Sequence, residues 1–248
     1  MTYCILGFCA DTGQSGIAYT TVTLAGGGTS PFYSYGGDII VVQAYGNLAT
    51  AVAGARALEE SDDLDTVVEC MAAADDAFEY RQVGIMRRSG QFTARTGSSA
   101  RPWAGHETGD HHIAMGNVLV GPEVVSNMTQ AFEANRSLPL ADRLLTALEA
   151  GRAAGGQQAP GDQRYDERSA LLKIMGASDA QPHVPALDLR IDMQSDAVTA
   201  LRKAYEIYRP VIARRARRAT DPNADLPTSE WEAINMIDNP PPPSLRAG

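Results

Sequence analysis

Lysine is nearly missing from this chain. Only Lys173 and Lys203 occur in 248 residues, and the rest of the 21 positive side chains are arginines. A mechanism built on a lysine nucleophile or Schiff base therefore has almost no candidates. Cysteine is scarce too. Cys4, Cys9 and Cys70 are odd in number, and Cys4 and Cys9, five apart on a strand, face opposite ways and share neither a bridge nor a metal. Such usage fits a reducing, cytoplasmic compartment. Apolar runs are short: Ile39 to Val42 is four residues, against the roughly 20 that a membrane helix needs. The opening residues lack the basic and then apolar layout of a signal peptide. With 30 acidic residues against 21 basic ones the net charge is −9, which argues against nucleic acid or an anionic membrane as partner.

What is present suits a globular protein with a sizeable core, 44% apolar and 21% charged. Tyr3 to Phe8 and Gly16 to Val22 alternate as strands, joined by the turn residues Asp11 and Gly13. Ile39 to Gln43 reads as a buried strand, and we expect it in one antiparallel sheet with the first two. Alanine-rich helices follow in LATAVAGARALEE and LDTVVECMAAADDAF, then strands over Tyr80 to Met86 and Gln91 to Thr96. Pro122 suits the first turn of a helix, and Ser137 is the expected cap of the next, with Leu140, Leu144, Leu145 and Leu148 as its buried stripe. Late strands span Ser169 to Met175 and Ala186 to Ile191, and Ser195 is expected to cap a last helix. Strands and helix pairs in this order suit antiparallel sheets with helices outside them, an α+β class. We divide the chain into a domain over residues 1–208 and, over 209–248, an arginine-rich helix or arm with a proline-rich tail ending in Pro240 to Pro243. The segment around Val211 and Ile212 is expected to pack on a second copy in a homodimer.

Three stretches invite chemistry. The run Gly26-Gly27-Gly28 lacks a Walker lysine and does not open a helix, so it reads as a loop beside a site, with Phe32, Tyr33 and Tyr35 to cover a small ligand. The stretch WAGHETGDHH gathers His106, His111 and His112, but adjacent histidines on a strand face opposite sides and no HExxH spacing exists. It reads as a polar loop, with His106 as a proton shuttle and no metal. Thr2 and Cys4 share one face at the start of the first strand. A nucleophile there can use a free α-amine, whose pKa lies near 7.7–8.0, as its general base.

Several ordered blocks carry a resemblance: MTYCILGFCADTGQSGIAY, DIIVVQAYGN, YRQVGI, WAGH, GNVLVGPEVVSNM, LPLADRLLTALEAGRAAGG, RSALL and ALDLRID. Together, from about Met1 to Tyr208, they resemble the domain-of-unknown-function family number ten-twenty-eight, placed in the N-terminal-nucleophile (Ntn) hydrolase superfamily. The resemblance implies a four-layer αββα sandwich with two stacked antiparallel sheets, and amide-hydrolase ancestry. Thr2 matches the family's start, Cys4 stands where serine is usual, and Gln43, Arg81, Gln82, Thr96, His106, Gly116 and Asn117 match recurring residues. Thr21-Val22 replaces a usual Ser-Lys pair, and Gly161-Asp162-Gln163-Arg164 keeps only loosely a Gly-Asp-Lys-Arg-like stretch.

The expected function is cleavage of a C–N bond, in an amide, lactam or ureide of a small molecule. Cys4 or Thr2 is the nucleophile, Asn117 an oxyanion donor and His106 a proton shuttle. Arg81 is expected to hold a substrate carboxylate, with Gln43 and Thr21 as further substrate contacts. No cofactor is called for. The alternative is a non-catalytic scaffold of the same architecture that binds a small ligand or a protein partner.

Overall fold

The computed structural model describes residues 1–159, 161 and 163–235; the expectations placed on Asp162 and on Pro240 to Pro243 lie outside these. Twelve strands are present in chain order. The first six are β1 (Thr2–Cys9), β2 (Gln14–Thr21), β3 (Pro31–Tyr33), β4 (Ile39–Ala44), β5 (Arg81–Met86) and β6 (Phe92–Thr96). The rest are β7 (Ala104–Gly109), β8 (His112–Asn117), β9 (Gln157–Gln158), β10 (Arg164–Tyr165), β11 (Ser169–Met175) and β12 (Pro185–Ile191). The helices are α1 (Leu48–Glu60), α2 (Leu64–Ala73), α3 (Glu123–Ala134), α4 (Leu140–Ala153), α5 (Ala197–Thr220) and α6 (Thr228–Asn235).

Two antiparallel sheets form the centre, one ordered β12-β11-β2-β1-β8-β7 and the other β3-β4-β5-β6. The strand Ile39–Ala44 therefore belongs to the second sheet, not to that of β1 and β2. It is buried on both faces, so its pattern carries no sign of which sheet it joins.

Alternation along β1 divides the core. Cys4 and Leu6 meet Ile17, Val41 and Met115 between the sheets, whereas Tyr3 and Ile5 face Met128, Leu144 and Leu148 of α3 and α4. A third core joins Ile40, Val42 and Ile85 to Ala51, Leu58 and Met71 of α1 and α2. Three cores between elements make four layers: helices, sheet, sheet, helices. Leu144, Leu145 and Leu148 are wholly buried, each contributing roughly 1.5–3 kcal/mol of transfer free energy.

Some helix starts differ from expectation. Pro139 rather than Ser137 precedes α4. Asp196 rather than Ser195 caps α5, accepting from the Thr199 N–H. The histidine stretch is a hairpin, with β7 turning at Asp110 and His111 into β8 and His111 at φ 62°. Helix α5 passes residue 208 and Pro210 without a break. Its arginines are engaged within the chain: Arg214 is buried, donates to the Leu226 carbonyl at 3.0 Å and lies over the Trp231 ring, and Arg217 pairs with Asp225 at 2.5 Å.

Candidate active site

Register builds a polar row at one end of the larger sheet. Thr2 lies opposite Asn117 on one side and Thr21 on the other, and Thr21 lies opposite Ser169. Paired residues of antiparallel strands point to the same face, here the face toward the second sheet. On that sheet Gln43, Gln82 and Thr96 form a matching row.

The Thr21 hydroxyl donates to the Met1 carbonyl oxygen at 2.7 Å. Its one proton is thereby used, so in the 3.1 Å contact between the two hydroxyls Thr2 is the donor. Thr2 is buried, yet it lines a cavity of about 780 Å³ together with Thr21, Ser30, Tyr33, Gln43 and Ala44. A smaller hollow of about 130 Å³ adjoins it, lined by Arg101, Asn117 and Val118, and Met1 and Ala44 border both. These volumes suit a small molecule.

The cavity wall opposite β1 is the loop after β2. Gly26 crosses so close to Thr21 that a Cβ there would stand 2.2 Å from Thr21 Cγ2, and the Gly26 N–H donates to Ser169 Oγ at 3.1 Å. The glycine run thus lies beside the cavity, and Phe32 and Tyr33 line it. Tyr35 points away, 76% exposed and stacked on His183. Two residues at the cavity hold left-handed backbone, Ala44 at φ 74° and Val118 at φ 52°, a costly conformation for a β-branched side chain.

Cys4 lies one turn of alternation deeper than Thr2 and outside the cavity. It is 0% exposed among Leu6, Ile17 and Met115, and burial raises its thiol well above the usual range. Its single polar contact is a 3.5 Å bond to Gln43 Oε1. A thiol so placed stays protonated and behaves as a small hydrophobe.

Arg81 does not face the cavity. Its guanidinium grips Asp75 through Nε at 2.9 Å and Nη2 at 3.2 Å and also donates to the Tyr45 carbonyl. The Arg81 guanidinium, with help from Thr50 and Asn47, holds the Asp75 carboxyl far below the usual carboxylate range. The expected carboxylate clamp is corrected: Arg81 is bound by a carboxylate of its own chain, a partner that an alanine-rich acidic helix end did not announce.

Gln82, which sequence reasoning left without a role, ties the site together. Its Nε2 lies 2.9 Å from the carbonyl oxygens of Gly105 and Gly116 and from Thr96 Oγ1, three acceptors that share its two N–H groups. Its Oε1 accepts from Gln43 Nε2 at 2.7 Å and Asn117 Nδ2 at 3.3 Å. Asn117 therefore has its amide N–H turned toward Gln82, while Oδ1 is buried without a partner. That bond takes one of the two Asn117 N–H groups on which the expected oxyanion role rests.

The histidines diverge. His106 contacts Thr96 Oγ1 at 2.9 Å through Nδ1 at the sheet edge and lines neither cavity. His112 is buried against Phe132 on the helix side, and burial lowers its pKa. His111 sits in the turn against Phe8. Among the described residues no group of three or more His, Cys, Asp or Glu side chains is placed to hold a metal ion, and no helix is long and apolar enough to cross a membrane.

Comparison with known proteins bears on this arrangement. The crystal structure of a Silicibacter pomeroyi protein of the DUF1028 family is similar, with a TM-score of 0.72 and 27% identity over 84% of this chain and 88% of that one. Looser likenesses include Anbu (ancestral beta-subunit) from Yersinia bercovieri, at a TM-score of 0.36 and 14% identity over 87% of this chain and 96% of that one. A Gly-1 mutant of Anbu from Hyphomicrobium sp. strain MC1 gives 0.41 and 14% over 86% and 97%. No curated protein matches. The model of the family of unknown function DUF1028 matches residues 2–201, and the chain belongs to that family.

Proposed function

We propose that the protein is an Ntn-type hydrolase that cleaves a C–N bond of a small molecule, with Thr2 rather than Cys4 as nucleophile. The observation that carries this reading is the placement of Thr2. Its hydroxyl stands at the first residue of a central strand, lines the cavity and donates to Thr21.

The Met1–Thr2 bond must first be cut. The freed α-amine, with an ordinary pKa near 7.7–8.0, is then neutral often enough to take the proton of its own hydroxyl. The Thr2 oxygen attacks the substrate carbonyl carbon, and the proton passes by way of the amine to the departing nitrogen as the C–N bond breaks. Water then attacks the ester carbonyl and gives a proton to the amine; the C–O bond to Thr2 breaks as the amine returns that proton to the Thr2 oxygen, and the acid is released. Thr21 is the donor for the developing oxyanion. Its proton already sits on a carbonyl oxygen, that of Met1, and departure of Met1 frees it for the substrate.

Two measurements test the reading. Intact mass of protein from cells is expected to show loss of Met1. A screen of small amides, lactams and ureides is expected to find turnover that Thr2→Ala abolishes and Thr2→Ser keeps. The binding-scaffold reading draws its support from the absence of any described cationic side chain at the wall of the main cavity. Retained Met1 with no turnover would favour it.

A further inference from the structure

The walls of the cavity constrain its ligand. None of the described residues lining the main part carries a charged side chain; threonine, serine and tyrosine hydroxyls, among them those of Thr2, Thr21 and Tyr33, and the amide of Gln43 supply its side-chain polarity. An ammonium moved into it would lose water and gain no counter-charge, and a carboxylate would find only the chain's own α-amine, whose pKa burial lowers.

The amides add a direction. Backbone carbonyls only accept, so the bonds to Gly105 and Gly116 fix which end of Gln82 is its NH₂. Gln82 Oε1 then consumes an N–H from both Gln43 and Asn117. Each of these two side chains keeps its oxygen and one further N–H beyond that bond. Gln43 Oε1 is touched by the weak thiol donor of Cys4 at 3.5 Å, and Asn117 Oδ1 has no partner although the residue is only 1% exposed. A buried acceptor without a donor is costly unless a ligand supplies one. Arg101 borders the same small hollow as Asn117, and its charge repels an ammonium there.

We infer that the ligand is an uncharged small molecule that presents N–H donors, in a primary carboxamide or ureido group, to Asn117 Oδ1 and Gln43 Oε1. This rests on the Thr2 reading, because Met1 borders both parts of the cavity and leaves when its bond to Thr2 is cut.

Calorimetry on the full chain with Thr2 as first residue tests the inference with five probes. Benzamide and phenylurea are neutral donors, N,N-dimethylbenzamide lacks the N–H, benzoate is an anion and benzylamine a cation. The two donors are expected to bind at least about 10-fold more tightly than the other three, the scale of one buried acceptor left unpaired. Asn117→Leu is expected to erase that preference. Because a buried substitution can fail to fold, Asn117→Asp serves beside it: it keeps an acceptor, adds charge and is expected to move preference toward benzylamine. Equal binding of N,N-dimethylbenzamide, tighter binding of benzoate, or no binding of either donor at millimolar concentration would overturn the inference. Donor preference without turnover would sink the Thr2 reading alone, and turnover without donor preference would sink this one alone.

Discussion

Gln82 Nε2 donates to the carbonyl oxygen of Gly116 at 2.9 Å, and this bond runs from one sheet to the other. Gln82 is 0% exposed, and its amide lies within hydrogen-bond distance of five groups. Gln82→Leu strands several of them in a dry interior, so we expect a loss of about 3 kcal/mol or more in urea unfolding. Gln82→Glu should be nearly as damaging, because a carboxylate has no N–H for the two carbonyls. A loss below about 1 kcal/mol for both variants would show that the amide is dispensable.

Thr2 and Cys4 should separate cleanly. Thr2→Ala is expected to lower turnover by at least about 10³-fold with the fold intact. Cys4→Ala is expected to leave kcat within about threefold and to cost about 1 kcal/mol of stability through lost core packing. Thermal unfolding and kinetics on both variants decide it, and the reverse pattern would return the nucleophile to Cys4.

Thr21→Val keeps the shape of the side chain and removes its donor. If Thr21 serves the oxyanion, kcat should fall about 10²-fold with little change in KM. A rise in KM alone would assign it to ground-state binding.

The Asp75–Arg81 pair predicts an acid signature. The folded pKa of Asp75 is depressed, first of all by Arg81. Its stabilisation is therefore fully present above the unfolded carboxylate value of about 3.9 and fades as pH falls below it. Asp75→Asn should lower stability at pH 7 by about 3 kcal/mol, since it leaves a half-buried guanidinium short of charge, and should flatten the loss between about pH 5 and pH 2. Arg81→Ala should likewise destabilise, without a selective effect on KM.

Much of the fold was legible because local rules and tertiary structure agreed. β11 occupies Ser169–Met175 as its pattern asks, and Asn47 accepts the Ala49 N–H at the start of α1. The site was legible only to a first approximation. Thr2 and Cys4 have the same parity on one strand, so alternation could not tell them apart; depth along the strand does, and depth is set by where the second sheet ends. The orientation of Asn117 is dictated by two glycine carbonyls through Gln82, and backbone oxygens leave no mark in a sequence. Arg81 was legible as a cation but not as one already matched by Asp75.

The cross-sheet amide also has a mechanical consequence. Around Leu6, Ile17, Ile39 and Met86 the sheets meet through apolar contact, which carries no directional bond. At the cavity end Gln82 acts as a dowel between the two plates. Displacement of one sheet along the other would have to break these bonds, so the residues that face Thr2 are held at a fixed spacing.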